Sequence, residues 1–133
     1  MLIRTLKVLA PVFVGVGLLH LILGVRADVF LGASLPEAAL TDPVLDSQNR
    51  FYGVAFSAYG FLIWVCAGDL VKYRTVLQIL LGLFFAAGCA RVVSIAIYGL
   101  PSYLVLVLLA SELILPPILA WWHKRNLDRH GGV

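Results

Sequence analysis

TVLQILLGLFFAAGCARVVSIAIYGLPSYLVLVLLASELILPPILAWW, Thr75 to Trp122, is two apolar runs joined at Gly99-Leu100-Pro101. A glycine, a residue held extended by the proline after it, and the proline itself form a tight reversal between two helices. Each run is near the ~20 residues that cross ~30 Å of hydrocarbon, so the spans are placed at about 75–98 and 102–122. Working outward, RFYGVAFSAYGFLIWVCAG from Arg50 to Gly68 and the apolar run from Leu6 to Val25 supply two more. Spans at about 6–25, 48–68, 75–98 and 102–122 make residues 1–133 a single all-α transmembrane domain. Short connections between the last three imply antiparallel neighbours, hence an integral membrane up-down four-helix bundle.

Composition agrees. Of 133 residues, 62% are hydrophobic and 13% charged, against about 45–50% and about 25% in soluble domains. The formal charge of +3 is no nucleic-acid signal, because the basic residues cluster at segment ends without a stripe or interleaved aromatics. Cys66 and Cys89 have neither a CxxC nor a metal-ligand spacing and read as small buried hydrophobes. No metal or cofactor is expected. Val25-Arg26-Ala27 loosely mimics a signal-cleavage site, but Arg26 argues against processing and for a retained first span.

Lysine and arginine orient the chain. Arg4, Lys7, Lys72, Arg74, Lys124, Arg125 and Arg129 fall on one side of this topology, and the other side has Arg26 with Arg50 at its boundary. The positive-inside rule puts both termini in the cytoplasm, with a multi-pass chain between them. Asp42-Pro43 is an N-cap acid followed by proline, so the second helix is predicted to begin there. The first outer loop, roughly 16–20 residues, is long enough to hold its own short helix. Ser34 to Leu40 offers one, capped by Ser34.

Charges inside the spans mark where function lies. A charged side chain at mid-bilayer costs at least ~2.5–3.5 kcal/mol, so such residues usually face one another or a wet cavity. Asp46, Arg50, Gly53, Ser57, Gly60 and Trp64 follow helical steps of four and three along one stripe, with Asn49 beside it and Tyr52 in the same turn. Gly88 and Arg91 share a face of the third span, with Ser94 one turn on. Glu112 stands on the fourth, just before Pro116 and Pro117, which leave the carbonyls of Glu112 and Leu113 without helical partners. His20 shares a face with Gly17 and Gly24. At ~1.5 Å per residue, His20, Arg91 and Glu112 lie about 8, 10 and 15 Å below the outer surface. A pocket opening outward fits that pattern better than a pore. Gly15, Gly17, Gly82 and Gly88 read as packing contacts.

DSQNRFYG at Asp46–Gly53, GCARVVSIAIYGLPS at Gly88–Ser102 and SELILPPIL around Glu112 resemble the signature of a bacterial family of small four-helix membrane proteins. That family is catalogued as a domain of unknown function and is loosely similar in layout to DoxX-like proteins. The resemblance covers nearly the whole chain. It implies the four-helix fold and draws attention to Arg50, Arg91, Ser94, Gly99, Pro101 and Glu112, and no activity comes with it.

Three functions stay open. The first is an outward-facing polar pocket for a lipid or amphiphile with an anionic group, held by Arg50 and Arg91 and set in depth by Glu112. Asp46, Asn49, Tyr52, Ser94 and His20 would line it. The second is a membrane-embedded enzyme with Glu112 or His20 as acid/base. The third is an accessory or homo-oligomer-forming subunit, in which the charges only fix helix register against a partner membrane protein. Arg91 and Glu112 are equally well read as a structural ion pair, and Asp46 with Arg50 as a pair that starts the helix.

Overall fold

The computed structural model describes residues 1–130, with side chains to 127. Among the described residues the regular elements are helices: α1 (Leu2–Leu23), α2 (Arg26–Phe30), α3 (Glu37–Leu40), α4 (Pro43–Cys66), α5 (Arg74–Tyr98) and α6 (Tyr103–His130). Among them, α1, α5 and the stretch Tyr103–Leu127 of α6 are long and apolar enough to cross a membrane. Only 17% of the apolar window of each is buried inside the protein. Those flanks expose leucine, valine and phenylalanine that water would not tolerate in such number. Helix α4 is long enough but is not in that set. Asp46, Asn49 and Arg50 occupy its first half, and two tyrosines dilute the rest.

The chain forms two compact units, one of residues 4–65 and one of residues 1–3 with 66 onward. In the first, α1 and α4 run antiparallel. A Cβ at Gly17 would strike Ser57 and the Gly53 carbonyl, one at Gly53 would strike the Leu21 backbone, and one at Gly60 would sit 2.7 Å from the Ala10 carbonyl. The bare glycine surfaces let the two backbones touch, the approach by which small residues hold helices together in lipid. Phe13 packs on Tyr59 beside this seam, with ring centroids 4.9 Å apart. Ser57 Oγ is buried there without a hydrogen-bond partner.

Caps set the boundaries. Asp42 Oδ1 accepts the amides of Val44 and Leu45 at 2.8 and 3.0 Å, the N-cap expected before Pro43. Helix α1 stops at Gly24, whose φ of +57° an L side chain rarely adopts, and its amide donates to the His20 carbonyl. The loop helix is shorter than expected. Its N-cap is Pro36, with no side-chain cap, so Ser34 plays no part.

In the other unit, α5 and α6 form a hairpin. Gly99 (φ +88°) and Pro101 make the reversal, and Gly88 lets Glu112 and Leu113 lie against α5. Helix α6 continues through Pro116 and Pro117 and past the predicted end at 122. Asn126 Nδ2 donates to the Trp122 carbonyl there, and Lys124 and Arg125 suit a helix C-terminus. Gly15 and Gly82 have open space where a Cβ would stand, so neither is a packing contact. Cys89 is exposed and Cys66 buried, so only Cys66 behaves as a buried hydrophobe.

Gly53→Leu should separate α1 from α4, whereas Gly82→Leu should be neutral. Thermal unfolding in mild detergent, followed by circular dichroism, should show a loss of several degrees for the first and none for the second.

Candidate functional site

The structure assembles two polar clusters, one in each unit. Arg91 and Glu112 meet across the α5/α6 hairpin, where Gly88, one turn before Arg91, clears the space for Glu112. Arg91 Nε donates to Glu112 Oε2 at 2.8 Å and Oε1 at 3.0 Å. The two partners differ sharply in burial, with the glutamate side chain 6% exposed and the arginine 36%. Both carboxylate oxygens thus converge on one N–H. Among the described residues, the terminal nitrogens Nη1 and Nη2 donate to no protein group. The guanidinium presents its free end, a planar fork of N–H donors that matches an oxyanion.

Arg50 is committed differently. Its Nε donates to Asp46 Oδ2 at 2.7 Å, and its Nη1 donates to the carbonyls of Leu21 and Ile22 at 2.8 and 3.1 Å. Those carbonyls belong to the last turn of α1, which has no helical amides left to offer them. The cation therefore caps α1 where the helix dipole is negative. Asp46 fills the space beside Gly24, and a Cβ at Gly24 would collide with its carboxylate. Arg50 is a clasp between α1 and α4.

His20 completes this cluster. Its Nδ1 lies 2.9 Å from the Val16 carbonyl and its Nε2 lies 3.3 Å from Asp28 Oδ1 on α2. Both ring nitrogens face acceptors, so neither is left for a substrate. The other residues singled out stand apart from the ions. Asn49 Nδ2 donates to the Leu45 carbonyl, Tyr52 is exposed against Phe51, and Ser94 is exposed on α5.

Two clefts formed by other described residues are not lined by these ions. One of about 330 Å³ is formed by Ala10, Pro11, Val14, Gly60, Phe61 and Trp64. The other, about 260 Å³, lies between the chain start, the turn before α5 and the end of α6. No group of three or more His, Cys, Asp or Glu among the described residues could hold a metal. His123, by contrast, escapes sequence reasoning. It is fully buried, and neither ring nitrogen has a hydrogen-bond partner. Its spacing from Leu119 and Leu127 on one face of α6 was the signal for burial. Of the basic end from His123 to His130, the side chains of residues 128–130 lie outside the described set.

Asp46 stands in the first turn of α4, ahead of the apolar stretch. The Arg50 hydrogen bond holds its carboxyl below the ordinary value of 3.8, against an opposing desolvation. A depressed folded-state pKa stabilises above the unfolded value and is lost as pH falls through the folded one. Thermal stability in detergent should therefore drop below about pH 4, and Asp46→Asn should remove that part of the pH dependence while lowering stability at pH 7.

No curated protein and no solved structure matches the chain. The model of one family, described as Domain of unknown function (DUF4345), matches residues 3–123. That is nearly the whole chain, and it includes both ion clusters. The chain belongs to the DUF4345 family.

Proposed function

We propose that this is a bacterial inner-membrane protein with four spans, α1, α4, α5 and α6, and both termini in the cytoplasm. Its role is to bind a lipid or amphiphile by an anionic group. The lysine and arginine asymmetry supports the orientation. Helix α4 is the least apolar of the four, as a span carrying a clasp at its outer end would be.

The observation that carries the binding reading is the free end of Arg91. A purely structural ion pair satisfies both partners, whereas here the carboxylate is sheltered and the guanidinium keeps two nitrogens unused on its exposed side. Glu112 is the anchor that stops the arginine snorkelling away, and the ligand's oxyanion is the second acceptor. Arg91 lines neither of the two clefts described above, and the ligand lies along the flank of α5 with its chain among exposed apolar residues. Arg50 contributes by holding α1 to α4 and not by contacting the ligand. The enzyme reading loses support, because both ring nitrogens of His20 face acceptors and Glu112 is already paired. An accessory-subunit role remains compatible with the exposed flanks, and a partner would then cover them.

Arg91→Met should reduce co-purified anionic amphiphile about tenfold, the equivalent of ~1.4 kcal/mol, when full-length protein in mild detergent is measured by native mass spectrometry. The same variant strands a buried carboxylate and should cost on the order of 1–3 kcal/mol of stability, discounted for the partial exposure of the arginine. Adding Glu112→Gln should restore much of the stability but none of the ligand. A double variant that regains both, or single variants with unchanged ligand, would leave only the structural ion pair.

A further inference from the structure

We propose a second lipid site at the other end of the α5/α6 unit, where a cationic rim and a small apolar cleft together hold the phosphate headgroup of an anionic phospholipid. This goes beyond the Arg91 site and uses none of its residues.

The cleft of about 260 Å³ is lined by Leu2, Ile3, Leu70, Val71 and Leu127, with Met1 and Asn126 at its margin. It is smaller than the about 300–1,000 Å³ of typical small-molecule sites. It therefore fits the glycerol region or one stretch of an acyl chain rather than a whole molecule. Cations adjoin the lining in the chain: Lys72 follows Val71, Arg74 opens α5, and Lys124 and Arg125 precede Asn126. All four are exposed. The arginine at 125 stacks on Trp121 with its guanidinium carbon 4.0 Å from the ring centroid, and the Lys72 ammonium stands 5.3 Å from that of Tyr73. Such pairs of an aromatic and a cation suit the headgroup level of a bilayer.

Among the described side chains around the cleft, opposing charge is nearly absent. The acid of this turn, Asp69, faces back onto its own backbone, where Oδ1 accepts the amides of Val71 and Lys72 at 3.1 and 2.9 Å. No acidic residue stands in the first turn of α5. Among the described side chains, these four exposed cations adjoin the cleft lining along the chain with one internally bonded carboxylate, a balance that a phosphate diester complements, and the apolar cleft selects a lipid over a free anion. Each cation near such a surface contributes about fivefold in affinity.

The test is native mass spectrometry of the full chain in detergent, titrated with dioleoylphosphatidylglycerol or dioleoylphosphatidylcholine. The wild type should bind the anionic lipid on the order of several hundredfold more tightly, about fivefold for each of the four cations. Made in an Arg91→Met background, so that the first site does not contribute, Lys72→Gln with Arg125→Gln should reduce that preference about 25-fold. Leu70→Trp fills the cleft without touching a charge and should also lower binding of the anionic lipid. Ile3→Trp, at a position 43% exposed, repeats that test should the first variant lose helicity. Equal binding of the two lipids, full displacement by inorganic phosphate, or retention unaffected by either tryptophan would overturn the proposal. The last outcome would mean diffuse attraction without a site.

Discussion

A carboxylate set in an apolar helix has no water to stabilise its charge, and Glu112 has Arg91 instead. The rest of the α5/α6 hairpin follows from making that meeting possible. Gly88 removes the side chain that would hold the helices apart at this level. The Gly99–Pro101 reversal brings residues 91 and 112 alongside each other. Pro116 and Pro117 then relieve the same helix of two amides just beyond the acid. A protein seeking only stability would do better with a hydrocarbon pair in this position, since buried ion pairs rarely outperform apolar packing of equal volume. Keeping the ions needs a reason other than strength.

Helix boundaries were readable because they rest on local chemistry. Asp42 before Pro43 can cap a helix without help from elsewhere, and glycine at 99 adopts a backbone conformation that other residues resist. What depended on distant partners was not readable. The acceptors of Arg50 are backbone carbonyls at residues 21 and 22, and every residue carries a carbonyl, so nothing in the sequence singles those two out. The stripe from Asp46 to Trp64 was visible as a periodicity, yet its lower part turned out to be a backbone-to-backbone seam with α1. Glycines are equally ambiguous. Gly17 and Gly88 sit at close approaches while Gly15 and Gly82 face open space, and only the partner helix distinguishes them. Helix α2 and the extension of α6 beyond residue 122 were likewise missed, since neither has a strong signal of its own.

The two ion pairs, Arg91 with Glu112 and Asp46 with Arg50, were legible in the sequence, and the rest of the site was legible only as residue types. Arg91 and Glu112 could be named from their improbability in apolar runs. Asn49, Tyr52 and Ser94 were named by proximity along helical faces, and they make no contact with the ions. His123 shows the converse. A histidine next to lysine and arginine at a helix end looks like part of a solvated tail, but the helical face it shares with Leu119 and Leu127 takes it inside.

The two arginines show how identical side chains are committed to different extents. Arg50 meets a carboxylate and two carbonyls, so the end of its guanidinium is bonded to the protein and its charge is matched by Asp46 and the α1 dipole. Nothing about it asks for a ligand. Arg91 meets a single carboxylate through Nε alone and keeps its outer nitrogens bare. In water that difference would be trivial, because solvent would satisfy whatever the protein left over. In a medium without hydrogen-bonding partners an unsatisfied donor is penalised by several kcal/mol (~2–7), so the second arginine is tolerable only where something polar reaches it. The spare donors, held beside a sheltered carboxylate, are the groups that the proposed oxyanion on Arg91 would meet.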